Sequence, residues 1–186
     1  TRLAAIHRAA ASGADVAMIA RGGYGLSRIL PGIKYKAVAK AVEKGTRFIG
    51  QSDFTAFQNA LLAQTGAMSW SGPSLIADLG VEGEPDDIML DCLQDLFTGH
   101  GEGSGWRMNH EKPLENGKPA VKDVYFKNAT LWGGNMAMLC SLLGTPYFPQ
   151  IKGGILFLED VAEHPYRVER MFAQLLQAGV LKNQKA

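Results

Sequence analysis

Val16-Ala17-Met18-Ile19-Ala20-Arg21-Gly22-Gly23-Tyr24-Gly25 and, further on, Arg47-Phe48-Ile49-Gly50-Gln51-Ser52-Asp53-Phe54-Thr55 are the stretches that decide the fold. In each, a short apolar run breaks into a glycine-containing loop just before a new pattern begins, as a buried strand does at its end. Between them, residues 35–44 place Val38, Ala41 and Val42 at helical spacing and stop at Gly45. Strand, helix, strand is a crossover unit, and such a unit joins parallel strands with right-handed connection. A second helix is expected at 53–64, with Phe54, Phe57, Leu61 and Leu62 on its apolar face, and a third strand at 67–70, closed by Ser71-Gly72-Pro73. A helix over 2–12, with Leu3, Ile6 and Ala10 inward and Gly13 at its end, precedes them all. The order βαβαβ implies a parallel sheet whose working loops gather at the carboxyl ends of its strands, where both quoted loops sit.

Outward from that unit the pattern loosens. Residues 74–97 read as helical with a break at 80–85, and 98–119, rich in Gly, Asn, Pro and charge, read as a loop or hairpin region. Residues 121–127 alternate like a strand. Trp132-Gly133-Gly134-Asn135 is expected to open a helix containing Met136, Leu139, Cys140, Leu142 and Leu143. Residues 154–158 form a buried strand ending in Glu159-Asp160, and 166–178 an amphipathic helix capped by Gly179; 181–186 is too short to be a finished element. The expected fold class is therefore α/β. A partial Rossmann-like N-terminal domain occupies 1–77, a junction 78–127, and part of a smaller α/β C-terminal domain 128–186.

Composition narrows the function. The 186 residues are 46% hydrophobic and 20% charged, as in ordinary globular proteins, and 19 basic against 18 acidic residues leave a formal charge of +1. That balance gives no electrostatic footprint for nucleic acid or an anionic membrane. No apolar stretch reaches the length of a membrane span. Cys92 and Cys140, the two cysteines, both lie in apolar helical patterns and read as reduced core thiols, not as a metal site or a disulfide.

The two loops carry the parts that acyl transfer needs. A serine between strand and helix presents a hydroxyl, with the N–H of Asp53 and the helix dipole beside it. A glycine-rich loop presents backbone N–H groups from the neighbouring strand. Each also has a plain structural reading. Ser52 is a good helix N-cap, and Phe54 stands where a nucleophile elbow has its second glycine. Arg21-Gly22-Gly23-Tyr24-Gly25 is a tight strand exit, and no Lys-Ser/Thr pair completes a phosphate-binding loop. Glu159, with Asp160 as its adjacent rival, could orient a histidine as the acid of a triad does. His7, His100, His110 and His164 each read more simply as surface or structural groups.

Taken in order, Arg21-Gly22-Gly23-Tyr24-Gly25, Gly50-Gln51-Ser52-Asp53-Phe54-Thr55, Ser71-Gly72-Pro73, Trp132-Gly133-Gly134-Asn135, Leu143-Gly144-Thr145-Pro146, Ile155 to Val161 and Pro165 to Met171 resemble the LD-carboxypeptidase family. These are serine peptidases of peptidoglycan recycling, also called muramoyltetrapeptide carboxypeptidases, with the microcin C immunity peptidases as relatives. The resemblance covers nearly the whole chain and is nearest to the Gram-negative cytoplasmic form.

The resemblance implies Ser52 as nucleophile and Glu159 as the triad acid. It also implies backbone N–H groups of Gly23 and Asp53 as the oxyanion hole, and Arg21, Gly22, Trp132 and Asn135 as substrate-binding residues. It implies no metal and no cofactor. The substrate would be a murein tetrapeptide or its nucleotide- or sugar-linked forms, losing its terminal D-alanine. The protein would be cytoplasmic, with a homodimer among the assemblies allowed. The family's histidine lies in a Gly-His motif expected beyond Ala186, so this chain alone is expected to be nearly inactive; Gly99-His100 precedes Glu159 and does not inherit the role. Gln51 stands where relatives often have tyrosine. Three other readings remain open: a microcin-immunity-type peptidase, a non-catalytic α/β module that binds a peptide or anion, and an α/β domain whose motifs are caps and turns only.

Overall fold

The computed structural model describes residues 1–100 and 125–186. The chain runs α1 (Arg2–Ala11), β1 (Val16–Met18), α2 (Tyr35–Glu43), β2 (Arg47–Gly50), α3 (Thr55–Thr65), β3 (Trp70–Ser71) and α4 (Asp87–Thr98). It resumes with β4 (Leu131–Asn135), α5 (Met136–Ser141), β5 (Ile155–Glu159) and α6 (Pro165–Gln177). Among the described residues β1, β2 and β3 form one parallel sheet in that order, and β4 and β5 a second parallel pair. The mixed α/β architecture and the parallel adjacency of the two loop-bearing strands are those expected. Ala17 pairs with Phe48 and Met18 with Ile49. Both strands therefore release their loops at the same edge.

Helix α3 is the pivot. Ala56, Phe57, Ala60 and Leu61 are fully buried, because three- and four-residue spacing brings them to one face. Phe57 packs its ring 5.6 Å from Phe48 of β2 and 4.7 Å from Phe54. Its polar side chains tie it to both sheets. Gln58 Nε2 donates to Gly50 O and Trp70 O at the ends of β2 and β3. Asn59 Nδ2 donates to Gly133 O of β4 at 2.7 Å. The cluster of buried apolar residues runs without a break from Leu26 and Phe48 through α3 to Trp132, Leu139 and Leu175.

Several elements differ from the sequence reading. The stretch Trp132-Gly133-Gly134-Asn135 does not open a helix. It lies in strand β4, and the helix begins one residue later, capped by Asn135, whose side chain accepts from Met138 N. The reason is close approach: a Cβ on Gly133 would stand 2.1 Å from Phe157 O, and one on Gly134 2.6 Å from Thr55 Oγ1. A glycine pair in this setting marks backbones in contact, not a helix start. The third strand is shorter than expected, since only Trp70 and Ser71 pair with β2. The region after it forms a single π-helical turn, Leu75–Leu79, before α4. The strand expected over 121–127 falls mostly outside the described residues, and its described part, 125–127, is not strand. Strand β5 is not the buried strand expected: four of its residues are partly buried and Phe157 is exposed. The final residues form a 3-10 turn, Leu181–Asn183, and then lie along β5, with Lys185 N donating to Gly154 O and Leu156 N to Ala186 O.

Candidate active site

Ser52 leaves β2 with φ +57, in the left-handed region that a residue with a Cβ rarely enters. Such a conformation costs about 1–3 kcal/mol and persists where the surrounding structure enforces it. The enforcement is visible. Gly50, two residues before, is packed so closely that a Cβ there would meet Phe54 Cδ1 at 2.6 Å and Ile19 Cδ1 at 2.9 Å, and Gly22 packs against Ser52 itself. Ser52 is not the expected N-cap. Gln51 holds the capping position of the 3-10 turn Ser52–Phe54, and α3 has no side-chain cap. Among the described residues the Ser52 hydroxyl makes no hydrogen bond, although the residue is half-buried. A strained serine with an unused hydroxyl is what a nucleophile elbow provides.

The glycine loop lies against it. A Cβ on Gly22 would meet Ser52 Cβ at 2.9 Å and Oγ at 3.1 Å, so only glycine allows this contact. Gly23 follows at φ +146. The N–H groups of Gly23 and Asp53 donate to no acceptor among the described residues. The Asp53 carboxylate, 6% exposed, locks the loop to the elbow by accepting from Leu26 N at 2.9 Å through Oδ2; its Oδ1 has no partner there.

On the other side, Gln51 Nε2 donates to Asp78 Oδ2 at 2.9 Å, and the same oxygen accepts from Ser74 N and Ser74 Oγ at 2.7 Å. The Ser74 backbone N–H, then its hydroxyl, then Gln51 hold the Asp78 carboxyl below its ordinary value. An open cleft of about 530 Å³ lies here, lined by Gln51, Ser71, Asp78 and, from α4, Met89, Cys92 and Leu96.

Glu159 and Ser52 belong to different sheets, and a short relay joins their elements. Asn135 pairs in register with Glu159 and donates Nδ2 to Glu159 Oε2 at 3.2 Å. Its own backbone N–H donates to the buried Thr55 Oγ1 at 3.0 Å, three residues after Ser52. Asp160 points elsewhere: it is exposed, and both its oxygens accept from Glu163 N, making it the cap of a turn. Thr55 was not singled out from sequence; the clue was a polar residue, with Asn59 one turn on, among the buried apolar positions of the helix.

The remaining sequence candidates separate. Arg21 is exposed on the loop beside Gly22. Trp132 sits in the core, 5% exposed, its ring edge-on to Phe148 and its indole N–H donating to Gln184 Oε1. It lies near the start of β4, while Asn135 lies at the carboxyl end where Glu159 is. His7 Nε2 accepts from Lys34 N, a structural bond between α1 and the approach to α2. His100 is exposed, and His164 precedes α6 with its ring against Tyr166. His110 lies outside the described residues. Among the described residues no histidine hydrogen-bonds to Ser52 or Glu159, and no group of three or more His, Cys, Asp or Glu gathers as a metal site would.

Two family models match the chain: LD-carboxypeptidase N-terminal domain over residues 1–72 and LD-carboxypeptidase C-terminal domain over 128–186. A probable murein peptide carboxypeptidase of Bacillus subtilis is 32% identical over 164 residues, covering 88% of this chain and 48% of its own. The crystal structure of a muramoyltetrapeptide carboxypeptidase from Oxalobacter formigenes is 40% identical with TM-score 0.72, over 92% of this chain and 54% of that one. A structure of the self-immunity protein MccF in complex with glutamyl sulfamoyl guanosine is 26% identical with TM-score 0.70, over 92% of this chain and 56% of that one. The chain spans about half the length of the curated relatives it matches.

Proposed function

Because this chain belongs to the LD-carboxypeptidase family, we propose that it is part of a serine peptidase that cleaves an L,D-amide and releases the terminal D-alanine of a murein tetrapeptide. The observation that carries the reading is Ser52 itself, strained at φ +57, its hydroxyl unused and Gly22 against it. In this reading Ser52 Oγ attacks the carbonyl carbon on the L-centre of meso-diaminopimelate. The oxyanion that forms is held by the N–H groups of Gly23 and Asp53. Collapse expels D-alanine, whose nitrogen takes a proton from the base, and water then releases the acyl group. Glu159, fixed by Asn135, orients and charge-stabilises that base. The base is a histidine; among the described residues none hydrogen-bonds to Ser52 or Glu159. Arg21, Gly22 and Asn135 line the substrate path.

The reading includes an N-terminal unit over 1–77 that carries the nucleophile and a C-terminal unit over 128–186 that carries the acid, joined through 78–127. It places the reaction in the cytoplasm, on peptides recovered from the cell wall; no helix among the described residues is long and apolar enough to cross a membrane. A microcin-immunity-type substrate is the second reading, favoured by the likeness to MccF. The test is release of D-alanine from the tetrapeptide by the full-length protein, set beside hydrolysis of an aminoacyl sulfamoyl nucleotide. D-alanine release that disappears with Ser52→Ala supports the first reading. Hydrolysis of the nucleotide alone supports the second, and undiminished release by Ser52→Ala removes Ser52 from the chemistry.

A further inference from the structure

Two arginines from different elements converge on the glycine loop beyond Arg21. Arg2, at the start of α1, donates Nη1 to Tyr24 O at 2.6 Å. Arg28, in the 3-10 turn that follows the loop, lays its guanidinium 5.4 Å from the centroid of the Tyr24 ring. Both reach the same point: a Cβ on Gly25 would stand 3.7 Å from Nη1 of each. Like charges this close repel, and such an arrangement is normally relieved by a carboxylate. None is present. Among the described residues the ion pair formed is Arg167 with Glu163, on α6 and the turn before it. Asp53, the acid in contact with this loop, bonds the Leu26 N–H and neither guanidinium. Tyr24 is 72% exposed, and both arginines are exposed, so the pair faces solvent.

We propose that Arg2 and Arg28, on either side of Gly25, form a binding site for an anionic oxygen group of the substrate: the peptide's terminal carboxylate or a phosphate attached to the peptide. The chemistry is that of the planar guanidinium fork, which matches both groups and binds them with charge-assisted hydrogen bonds. The placement sets a ruler. Gly25 follows Gly22, the residue in contact with Ser52, by three positions, and three residues span at most about 11 Å. An anion at Gly25 therefore lies within about three residue lengths of the carbonyl that Ser52 would attack. In its relation to a peptide the inference rests on the proposed role of Ser52; the anion site itself does not.

The experiment uses the full-length protein carrying Ser52→Ala, so that binding is read without turnover. It is titrated calorimetrically with the tetrapeptide, with the same peptide amidated at its C-terminus, with a nucleotide-linked peptide, and with inorganic phosphate. Adding Arg2→Gln and Arg28→Gln together is expected to weaken the preferred ligand about tenfold or more. Arg28→Lys should weaken it less, because the charge stays while the fork is lost. If the anion is the carboxylate, amidation alone costs the same factor and the arginine changes then add nothing. If it is a phosphate, amidation is silent, and the nucleotide-linked peptide and inorganic phosphate lose affinity in the arginine variants. Unchanged affinity of the arginine variants for all four ligands, or no binding of any of them before the arginines are changed, overturns the proposal. If the full-length protein with Ser52 intact releases no D-alanine while the arginine effect on binding holds, the catalytic reading alone falls.

Discussion

At the scale of single residues, the site is defined by groups whose local chemistry is left incomplete. Ser52 spends conformational energy and its hydroxyl makes no hydrogen bond among the described residues; there too Asp53 buries a carboxylate oxygen with no partner. Glu159 and Asp160 are neighbours with opposite fates, because β5 ends at Glu159 and Asp160 already belongs to the turn after it. One accepts from Asn135, the other caps a turn. In the full-length protein, Glu159→Gln is expected to lower kcat about a hundredfold or more, as a base loses its orienting charge. Asp160→Asn should change it by less than about threefold. A reversal of the two effects in steady-state kinetics would move the acid to Asp160. Asp78 gives a second expectation. Its carboxyl is held below its ordinary value of 3.8, so its ionised form favours the folded state above that value. The contribution is lost as pH falls through the lower, folded value. Asp78→Asn should therefore flatten the decline of stability below about pH 4. Unfolding midpoints across that range, compared between the two proteins, check it.

Elements carry the site by touching at points where side chains are excluded. Gly133 and Gly134, both at φ +120, let β4 run against β5 and against Thr55 of α3. Gly133→Ala should destabilise by about 3 kcal/mol or more, since a Cβ would fall on the Phe157 carbonyl and the backbone would be strained. Thr55→Val should cost about 1–3 kcal/mol, because the Asn135 N–H loses its acceptor in a partly buried place. Denaturant midpoints of the full-length variants read both. A cost below about 0.5 kcal/mol for Gly133→Ala would mean that the two strands are not so closely packed. The same glycines show where sequence reading succeeds and where it stops. The βαβ unit was legible because apolar runs, helical spacing and glycine punctuation all agreed at 16–25, 35–45 and 47–55. Trp132-Gly133-Gly134-Asn135 was misread because glycine demanded by a contact distant in sequence looks the same as glycine at a helix boundary. Ser52 was legible as a strand-to-helix serine, but its positive φ was not. That angle occurs beside a strand end packed closely by Ile19, a contact distant in sequence that no local pattern encodes.

For the molecule as a whole, α3 is the common wall. It follows directly on the turn that carries Ser52, ties to β2 and β3 through Gln58, and ties to β4 through Thr55 and Asn59. The register of β4 on β5 then carries Asn135 to Glu159. The arrangement predicts unequal thiols: Cys92 is exposed on α4 and Cys140 buried in α5, where burial also raises its pKa. A native-state thiol reagent should modify Cys92 promptly and Cys140 only on unfolding, as mass spectrometry of the peptides would show. Prompt modification of Cys140 would mean that α5 and α6 are not packed as described. The central claim is that Ser52, set in its elbow against the Gly22 backbone, is the nucleophile. Its most direct measurement is reaction of the full-length protein with a neutral fluorophosphonate, followed by mapping of the adduct by mass spectrometry. The account predicts one adduct, on Ser52 Oγ, formed in step with loss of D-alanine release; an adduct on another residue, or activity that survives complete modification of Ser52, would contradict it.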